Sequence, residues 1–346
     1  MSFAFLQHLF EEQLEFRLEK GRWIVGGVHV YPGDILKTVD PTAYKDQFDK
    51  WFAERWFPEQ KDLLDQILTA DDENENRFSD LCKTLKNDEL IPFVGAGMSV
   101  PTGLPTWSGF LWKVLRRSKL PEETLRELLS NWLYEEAAEQ LAASMPTRAF
   151  DEQILSSFTV NKPVRGAVLF LPEIFDKLII TTNLDDLLEQ LYETRGRAFS
   201  HVLAGQELGE YRRVKATSER VLLKFHGKHT TPVGRVISAT EYNAVYAKDS
   251  PVRDELATIY KTRSLLYLGC SLGQDRTMSL LEEVAQLNQV MPPHYAFLQH
   301  PQDEDLLVDR EHFLIDRGIY PIWYPGDHDE CITALLAGML KEKEAK

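Results

Sequence analysis

Residues 90–99 read LIPFVGAGMS, an apolar run that leads into a turn with glycines at Gly95 and Gly97. The run is typical of a strand buried on both faces, and glycine permits the tight turn that follows. Further apolar segments are KLIITT (177–182), VLLKF (221–225), SLLYLG (264–269), YAFLQ (295–299) and IYPIWY (319–324). Because helix-patterned stretches separate them, the sequence predicts an α/β fold: a doubly wound, Rossmann-like parallel sheet covered by helices.

Two regions flank this pattern of strands. The interval of about residues 100–175 has helical periodicity and is too long for one crossover helix, so we expect a helical insertion beside the sheet. Residues 1–85 are predicted to form a mainly helical accessory region, with one strand pair around Gly26 and Gly27. Residues 86–346 are predicted to form one nucleotide-binding domain that includes the insertion.

The composition excludes several classes of protein. The 346 residues carry a net charge of −15, which opposes binding to duplex nucleic acid or to anionic membranes. The three cysteines, Cys82, Cys270 and Cys331, cannot build a four-cysteine zinc site, and so few cysteines favour a reducing compartment. Glutamates interrupt the start of the chain where a secretory signal needs an apolar core, and no run is long enough to span a membrane. We therefore expect a cytoplasmic protein.

The glycine turn has the chemistry of a phosphate site. Glycines let the backbone approach a pyrophosphate, and the amides at a helix start favour its negative charge. The third glycine of the dinucleotide fingerprint would fall at Val100, and no acidic ribose-binding residue follows about 20 residues later. A hydride-transferring dehydrogenase is thus disfavoured, and the turn alone is equally consistent with a purely structural role.

Other polar or glycine-containing turns follow the later apolar segments. They are GLPTW (103–107), TTNLD (181–185), FHG (225–227) and GCSL (269–272). Ligands of open parallel sheets bind at the carboxyl ends of the strands. We therefore expect these turns to converge on one crevice.

From about residue 90 to residue 272, the ordered set of turns resembles the sirtuins, and more closely the sirtuin-like NAD-degrading enzymes of bacterial antiphage defence. Residues 236–246, VISATEYNAVY, share this resemblance. The resemblance implies that the phosphates of NAD contact Gly95, Ala96, Gly97 and Ser99. It also places Asn183 and Asp185 beside the nicotinamide ribose, Thr106 and Trp107 in the neighbouring loop, and Gly269 and Ser271 on the adenosine side.

The same resemblance implies catalytic roles for Asn183 and His226. Asn183 would fix the ribose or the attacking water, and His226 would accept a proton. Asp185 would contact the carboxamide or hold its loop, and Trp107 would cover the nicotinamide pocket. Purely structural alternatives are open for each of these residues. A strand-end histidine is often structural, an asparagine or aspartate can stabilise a helix start, and a tryptophan can simply pack.

Two departures from the sirtuin pattern disfavour deacylation of proteins. Protein-deacylating sirtuins typically carry aspartate, phenylalanine and arginine where this chain has Thr106, Trp107 and Ser108. They also typically carry zinc-binding cysteine pairs, whereas no cysteine lies between His226 and Cys270. The remaining neighbours of His226 have no metal-ligand spacing, so no metal is expected.

The glycine turn, Asn183 and His226, together with the resemblance, therefore lead us to expect an NAD glycohydrolase that releases nicotinamide and ADP-ribose. The resemblance implies that this enzyme depletes cellular NAD during phage infection. By resemblance, such an enzyme is held in check by homo-oligomerisation or by a separately encoded partner, such as an ATPase or an Argonaute-like protein. The alternative is a module that senses NAD or an ADP-ribose derivative without cleaving it. A protein deacylase is the third and weakest alternative.

Overall fold

The computed structural model of the protein describes residues 3–17, 23–25, 28–216, 220–273, 276–287 and 291–345. The chain divides into two units, Met1–Gln66 and Ile67–Lys346. The predicted site residues all belong to the second unit.

The first unit is mainly helical. Its helices are α1 (Gln7–Arg17), α2 (Pro32–Val39), α3 (Pro41–Trp51) and the start of α4 (Phe57–Thr69), with a 3₁₀ segment at Phe3–Leu6 and a π-helical segment at Phe52–Trp56. Strands β1 (Trp23–Val25) and β2 (Val28–Val30) pair antiparallel, as predicted, while the two glycines between them lie outside the described residues. Proline begins α3, and Asp40 caps it by accepting a hydrogen bond from the Ala43 amide at 2.9 Å.

The second unit contains a sheet of seven parallel strands. The strands are β3 (Leu90–Val94), β4 (Leu178–Thr181), β5 (His201–Ala204), β6 (Val221–Lys224), β7 (Ser264–Leu268), β8 (His294–Gln299) and β9 (Ile319–Tyr324). Their order is β5-β6-β4-β3-β7-β8-β9, and each described pair runs parallel. Central strands β3 and β7 are buried along their whole length because helices cover both faces. The predicted Rossmann-like fold is confirmed.

Thirteen helices of this unit are described. They are α5 (Asn74–Lys86), α6 (Trp107–Leu115), α7 (Glu122–Ser130), α8 (Tyr134–Ala143), α9 (Thr147–Phe158), α10 (Leu171–Ile174), α11 (Leu187–Thr194), α12 (Tyr211–Val214), α13 (Ala239–Val245), α14 (Pro251–Thr262), α15 (Arg276–Leu287), α16 (Glu304–Ile315) and α17 (His328–Glu344); 3₁₀ segments lie at Ala96–Thr102, Ala167–Phe170 and Gly205–Glu210. None of the helices described in either unit is long and apolar enough to cross a membrane.

Helices α6 to α10 form the insertion predicted between the first two strands. The insertion has a core of its own, in which Phe110, Leu125 and Phe150 are buried together. Helix α5 belongs to the second unit, where the buried Asn74 side chain bonds the backbone of Trp323 in both directions, at 2.8 and 2.9 Å. An accessory role for residues 1–85 stays a prediction.

Candidate functional site

A cavity of about 1090 Å³ lies at the carboxyl edge of the sheet. This volume lies slightly above the range for small-molecule sites, roughly 300–1,000 Å³. Ten of the predicted site residues line it: Gly95, Ala96, Gly97, Thr106, Trp107, Asn183, Asp185, His226, Gly269 and Ser271. The turns after β3, β4, β6 and β7 therefore meet in one place.

The glycine turn is shaped by its contact with the turn after β7. The Gly95 amide donates to the Leu268 carbonyl at 2.8 Å, and the Gly97 amide donates to the Gly269 carbonyl at 2.9 Å. A Cβ on Gly95 would lie 2.5 Å from the Gly269 oxygen, so the close approach of the two turns requires glycine. Two amides expected to face phosphates are thus bonded within the protein. Ala96 begins the 3₁₀ segment, where the first amides have no partner inside the helix.

A buried hydrogen-bond network connects the turns after β3 and β4. The Asn183 side-chain amide donates to the Ser99 hydroxyl at 3.2 Å, and that hydroxyl donates to the Asp185 carboxylate at 3.1 Å. Asp185 also accepts from the Leu187 amide at 3.1 Å, which is how it stabilises the start of α11. Helix α11 begins at Leu187, so Asn183 does not cap it, contrary to the structural alternative. Ser99 is buried, does not line the cavity, and holds Asn183 in place through this hydrogen bond.

A lysine that sequence reasoning missed supports the same network. Lys224, the last residue of β6, is 1% exposed, and its ammonium donates to the Asp185 backbone carbonyl and, at 2.8 Å, to Glu189. Burial raises the pKa of Asp185, and the charge of Lys224 opposes that rise. A lysine inside the apolar segment VLLKF was the available signal, since charged residues are rarely buried without a partner.

His226 is enclosed by two tyrosines, which sequence reasoning also missed. Its Nε2 is hydrogen bonded to the Tyr246 hydroxyl at 3.0 Å, and its Nδ1 lies 3.3 Å from the Tyr242 hydroxyl. Tyr246 also lies 3.4 Å from the Thr277 hydroxyl. The tyrosines are four residues apart: Tyr242 lies in α13 and Tyr246 directly follows its last residue, so the two side chains lie on the same side. The signal was their helical spacing in VISATEYNAVY.

The environment of His226 sets its charge. The ring keeps some accessible surface where it borders the cavity, while burial in the surrounding protein lowers the pKa of His226 to about 3. The imidazole is therefore neutral near pH 7, with one nitrogen donating to a phenol and the other accepting from one. Gly227, next in the chain, has φ +80°, and a Cβ there would lie 2.6 Å from the Gly234 carbonyl.

The remaining predicted residues also have structural roles. The Thr106 hydroxyl accepts from the Gly109 amide at 3.2 Å and caps α6. The Trp107 ring stacks on Phe110, with centroids 5.6 Å apart, and packs on the core of the insertion. The Ser271 carbonyl accepts from Arg310 at 2.6 Å. Trp107 therefore packs on the core of the insertion, as the structural alternative predicts, and it also lines the cavity.

The described part of the chain contains no cluster of three or more histidine, cysteine or acidic side chains arranged to hold a metal ion. His229, three residues after His226, is hydrogen bonded through Nδ1 to the Leu184 carbonyl at 3.0 Å. His229 therefore braces the turn after β4.

Comparisons with known proteins agree with the motifs. Residues 177–322 match the family model of the SIR2-like domain. The chain is 26% identical over 240 residues to Defense-associated sirtuin 2 of Bacillus subtilis. The aligned region covers 66% of this chain and 22% of the relative. The chain is also 21% identical over 254 residues to the NAD(+) hydrolase ThsA of Acinetobacter baumannii (strain 532279). The aligned region covers 73% of this chain and 48% of that relative.

The chain thus spans about a fifth of the length of the first relative and about half of the second. The matched segment contains β4 and β6 and therefore the turns that carry Asn183 and His226. The resemblance to sirtuin-like proteins is confirmed, and residues 177–322 are similar to the SIR2-like domain.

Proposed function

We propose that this protein is an NAD glycohydrolase that cleaves NAD to nicotinamide and ADP-ribose. The observation that carries the proposal is that Asn183 and His226 line one cavity together with the Gly95–Gly97 turn. A relative named as an NAD(+) hydrolase supports the choice of substrate.

The bond to be broken needs little acid catalysis. The nicotinamide ring of NAD is already cationic, so it leaves with the bonding electron pair as a neutral molecule. Positive charge then develops on the ribose, as in the hydrolysis of other glycosides. The protein has to hold the ribose, keep other positive charges away from it while the nicotinamide leaves, and position a water molecule. The water oxygen forms the new bond to the anomeric carbon and loses one proton.

Asn183 would position the ribose or the water. Its side-chain nitrogen is held by Ser99, which leaves its carbonyl oxygen to accept a hydrogen bond from substrate. A side chain fixed in this way needs no reordering when the substrate binds.

His226 would accept the proton of the water. A pKa of about 3 keeps the imidazole neutral while the nicotinamide leaves, so it adds no positive charge as the ribose cation develops. The same low pKa makes His226 a weak base, so it takes the proton only after the water oxygen has begun to bond to the anomeric carbon and has become strongly acidic. Both ring nitrogens are bonded to phenols, so proton transfer requires the exchange of one of these hydrogen bonds. Tyr246 would be the phenol that gives up its hydrogen bond to His226, because its hydroxyl also lies within hydrogen-bond distance of the Thr277 hydroxyl.

The biological role that we propose is antiphage defence through NAD depletion. The relative named Defense-associated sirtuin 2 supports it. NAD would be the substrate, and the scheme needs no metal. Restraint of such an activity would come from homo-oligomerisation or from a separately encoded partner, such as an ATPase or an Argonaute-like protein.

A second candidate is a module that senses NAD or an ADP-ribose derivative without cleaving it. The enclosure of His226 favours it, because in this arrangement each ring nitrogen already has a phenol partner. Tight NAD binding without nicotinamide release in any oligomeric or partnered state would establish this function.

Nicotinamide release from NAD by the purified chain tests the enzyme. We expect Asn183→Ala and His226→Ala each to reduce turnover about a hundredfold or more. His201→Ala is the matched control, because His201 is exposed on edge strand β5 and does not line the cavity, so its turnover should equal that of the wild type. Unchanged turnover in either site variant would remove that residue from the mechanism.

A further inference from the structure

Trp132 occupies a backbone position that usually belongs to glycine. It follows α7 with φ +61°, in the left-handed region. Its amide donates to the Leu129 carbonyl at 3.1 Å, and the Leu133 amide donates to the Leu128 carbonyl at 2.9 Å. This pair of bonds is the Schellman motif, in which the left-handed residue is most often glycine.

Two other helices of the second unit end in the same motif. After α11 the position is filled by Gly196, with φ +67°, and after α5 by Asp88, with φ +63°. Glycine has no steric cost there, and aspartate has a small one. A bulky residue in the left-handed region is an outlier. The requirements of the helix end therefore do not account for an indole at Trp132.

Packing does not account for the indole either. Trp132 is 62% exposed, and the neighbouring Leu133 is 40% exposed. The indole meets Tyr134 edge-on, with centroids 6.1 Å apart, and a Cβ on Gly273 would lie 3.8 Å from it. A large apolar ring left in water gives up most of the stabilisation that its burial would provide.

The position of the indole in the cavity wall does account for a tryptophan at residue 132. Trp132 lines the same cavity as Asn183 and His226. The segment that carries it is held there by Glu135, which accepts a hydrogen bond from Arg276 at the start of α15, at 3.0 Å. An exposed aromatic face is thus fixed on the wall of the candidate site.

We infer that Trp132 is a stacking platform for a heteroaromatic ring of the dinucleotide, an inference that rests on the proposed function. Indole faces stack on planar bases with little regard to their identity. They also attract cations, and the nicotinamide ring of NAD is cationic. The chemistry recognised is a planar nitrogen heterocycle, which nicotinamide or adenine would supply.

Calorimetric titration of the whole chain distinguishes these two rings. ADP-ribose carries only the adenine, and nicotinamide mononucleotide carries only the nicotinamide. We expect Trp132→Gly to bind one of them about tenfold or more weakly. Trp132→Phe should retain most of the affinity, and Trp132→Leu, which is apolar but not planar, should lose it.

Thermal unfolding of the same variants separates stacking from a structural role. Trp132→Gly should unfold at the same temperature as the wild type or higher, because glycine suits the left-handed backbone. Asp88→Gly is the matched control: it makes the same backbone change away from the cavity and should leave both affinities unchanged.

Three results with the Trp132 variants would overturn the inference. They are unchanged affinity for both ligands in Trp132→Gly, wild-type affinity in Trp132→Leu, and a marked fall of the unfolding temperature in Trp132→Gly. A wild-type chain that binds neither ligand would overturn the dinucleotide site itself and the inference with it. Binding by the wild type with no effect of the variants would overturn the inference alone.

Discussion

At His226 the protein surrounds an imidazole with two phenols and leaves it only partly accessible to water. The two effects act together: burial opposes the imidazolium, and the phenols satisfy both ring nitrogens of the neutral form. A histidine near its usual pKa would be partly cationic at neutral pH and would repel a positively charged ribose. The environment of this residue thus keeps a positive charge out of the cavity wall, as the proposed cleavage of NAD requires while the nicotinamide leaves.

A prediction about pH follows for this residue. Because the pKa of His226 is lowered to about 3, its neutral form persists as the pH falls through the ordinary histidine range. We expect kcat/KM for NAD cleavage to show no loss attributable to His226 between pH 8 and pH 5, and a loss only as the pH approaches 3. An NMR titration of the His226 ring, assigned with His226→Gln, checks this without turnover. An apparent pKa near 6.5 for that ring would contradict it.

At the scale of elements, the last residue of β6 fixes the turn after β4. Lys224 is aligned with Thr181 in the parallel register, and its ammonium reaches past that strand end to Asp185 and Glu189. The turn also receives Ser99 from the segment after β3. Three neighbouring strands therefore set the position of Asn183, and the geometry of the site depends on their register.

Lys224→Met tests this connection. Removing the ammonium leaves the buried Asp185 carbonyl without this donor and Glu189 without its counterion. We expect a loss of about 2–4 kcal/mol in the free energy of unfolding, measured with urea. Adding Glu189→Gln should restore part of that loss, because the uncompensated carboxylate is then gone. Additive losses in the double variant would show that the two side chains are not coupled.

At the scale of the whole molecule, the fold hides titratable groups whose protonation opposes folding. His294 lies on β8 and is fully buried, and its Nδ1 accepts from the Leu265 amide at 3.2 Å. Burial lowers the pKa of His294 to about 3. The unfolded chain binds a proton near pH 6.5, and the folded chain does not. The contribution of His294 therefore lowers the free energy of unfolding as the pH drops below about 6.5.

The size of this effect can be measured by urea unfolding of the whole chain at several pH values. Between pH 6 and pH 5, His294 should contribute up to about 1.4 kcal/mol of lost unfolding free energy per pH unit. His294→Gln retains an acceptor for the Leu265 amide and removes the titration. Its unfolding free energy should therefore depend less steeply on pH than that of the wild type. Parallel slopes for the two proteins would contradict the assignment.

The central strands and the turns that follow them could be read from the chain, because each depends on local properties. An apolar run long enough for a strand, followed by Gly95 or Gly269, predicts a buried strand and a tight turn. Edge strand β5 was missed because it is short and begins at the exposed His201, so its sequence lacks a continuous apolar run. The helical insertion was predictable from periodicity over many residues.

The partners within the site could not be read in this way. Ser99 and Asp185 are 86 residues apart in the chain and 3.1 Å apart in space, and Lys224 meets Asp185 across a separation of 39 residues. Strand order and register create such contacts, and no local pattern encodes them. Local residue preferences thus specified the elements and the edge of the sheet where the ligand is expected. Long-range packing alone settled the neutrality of His226, the support of Asn183 and the placement of Trp132 in the cavity wall.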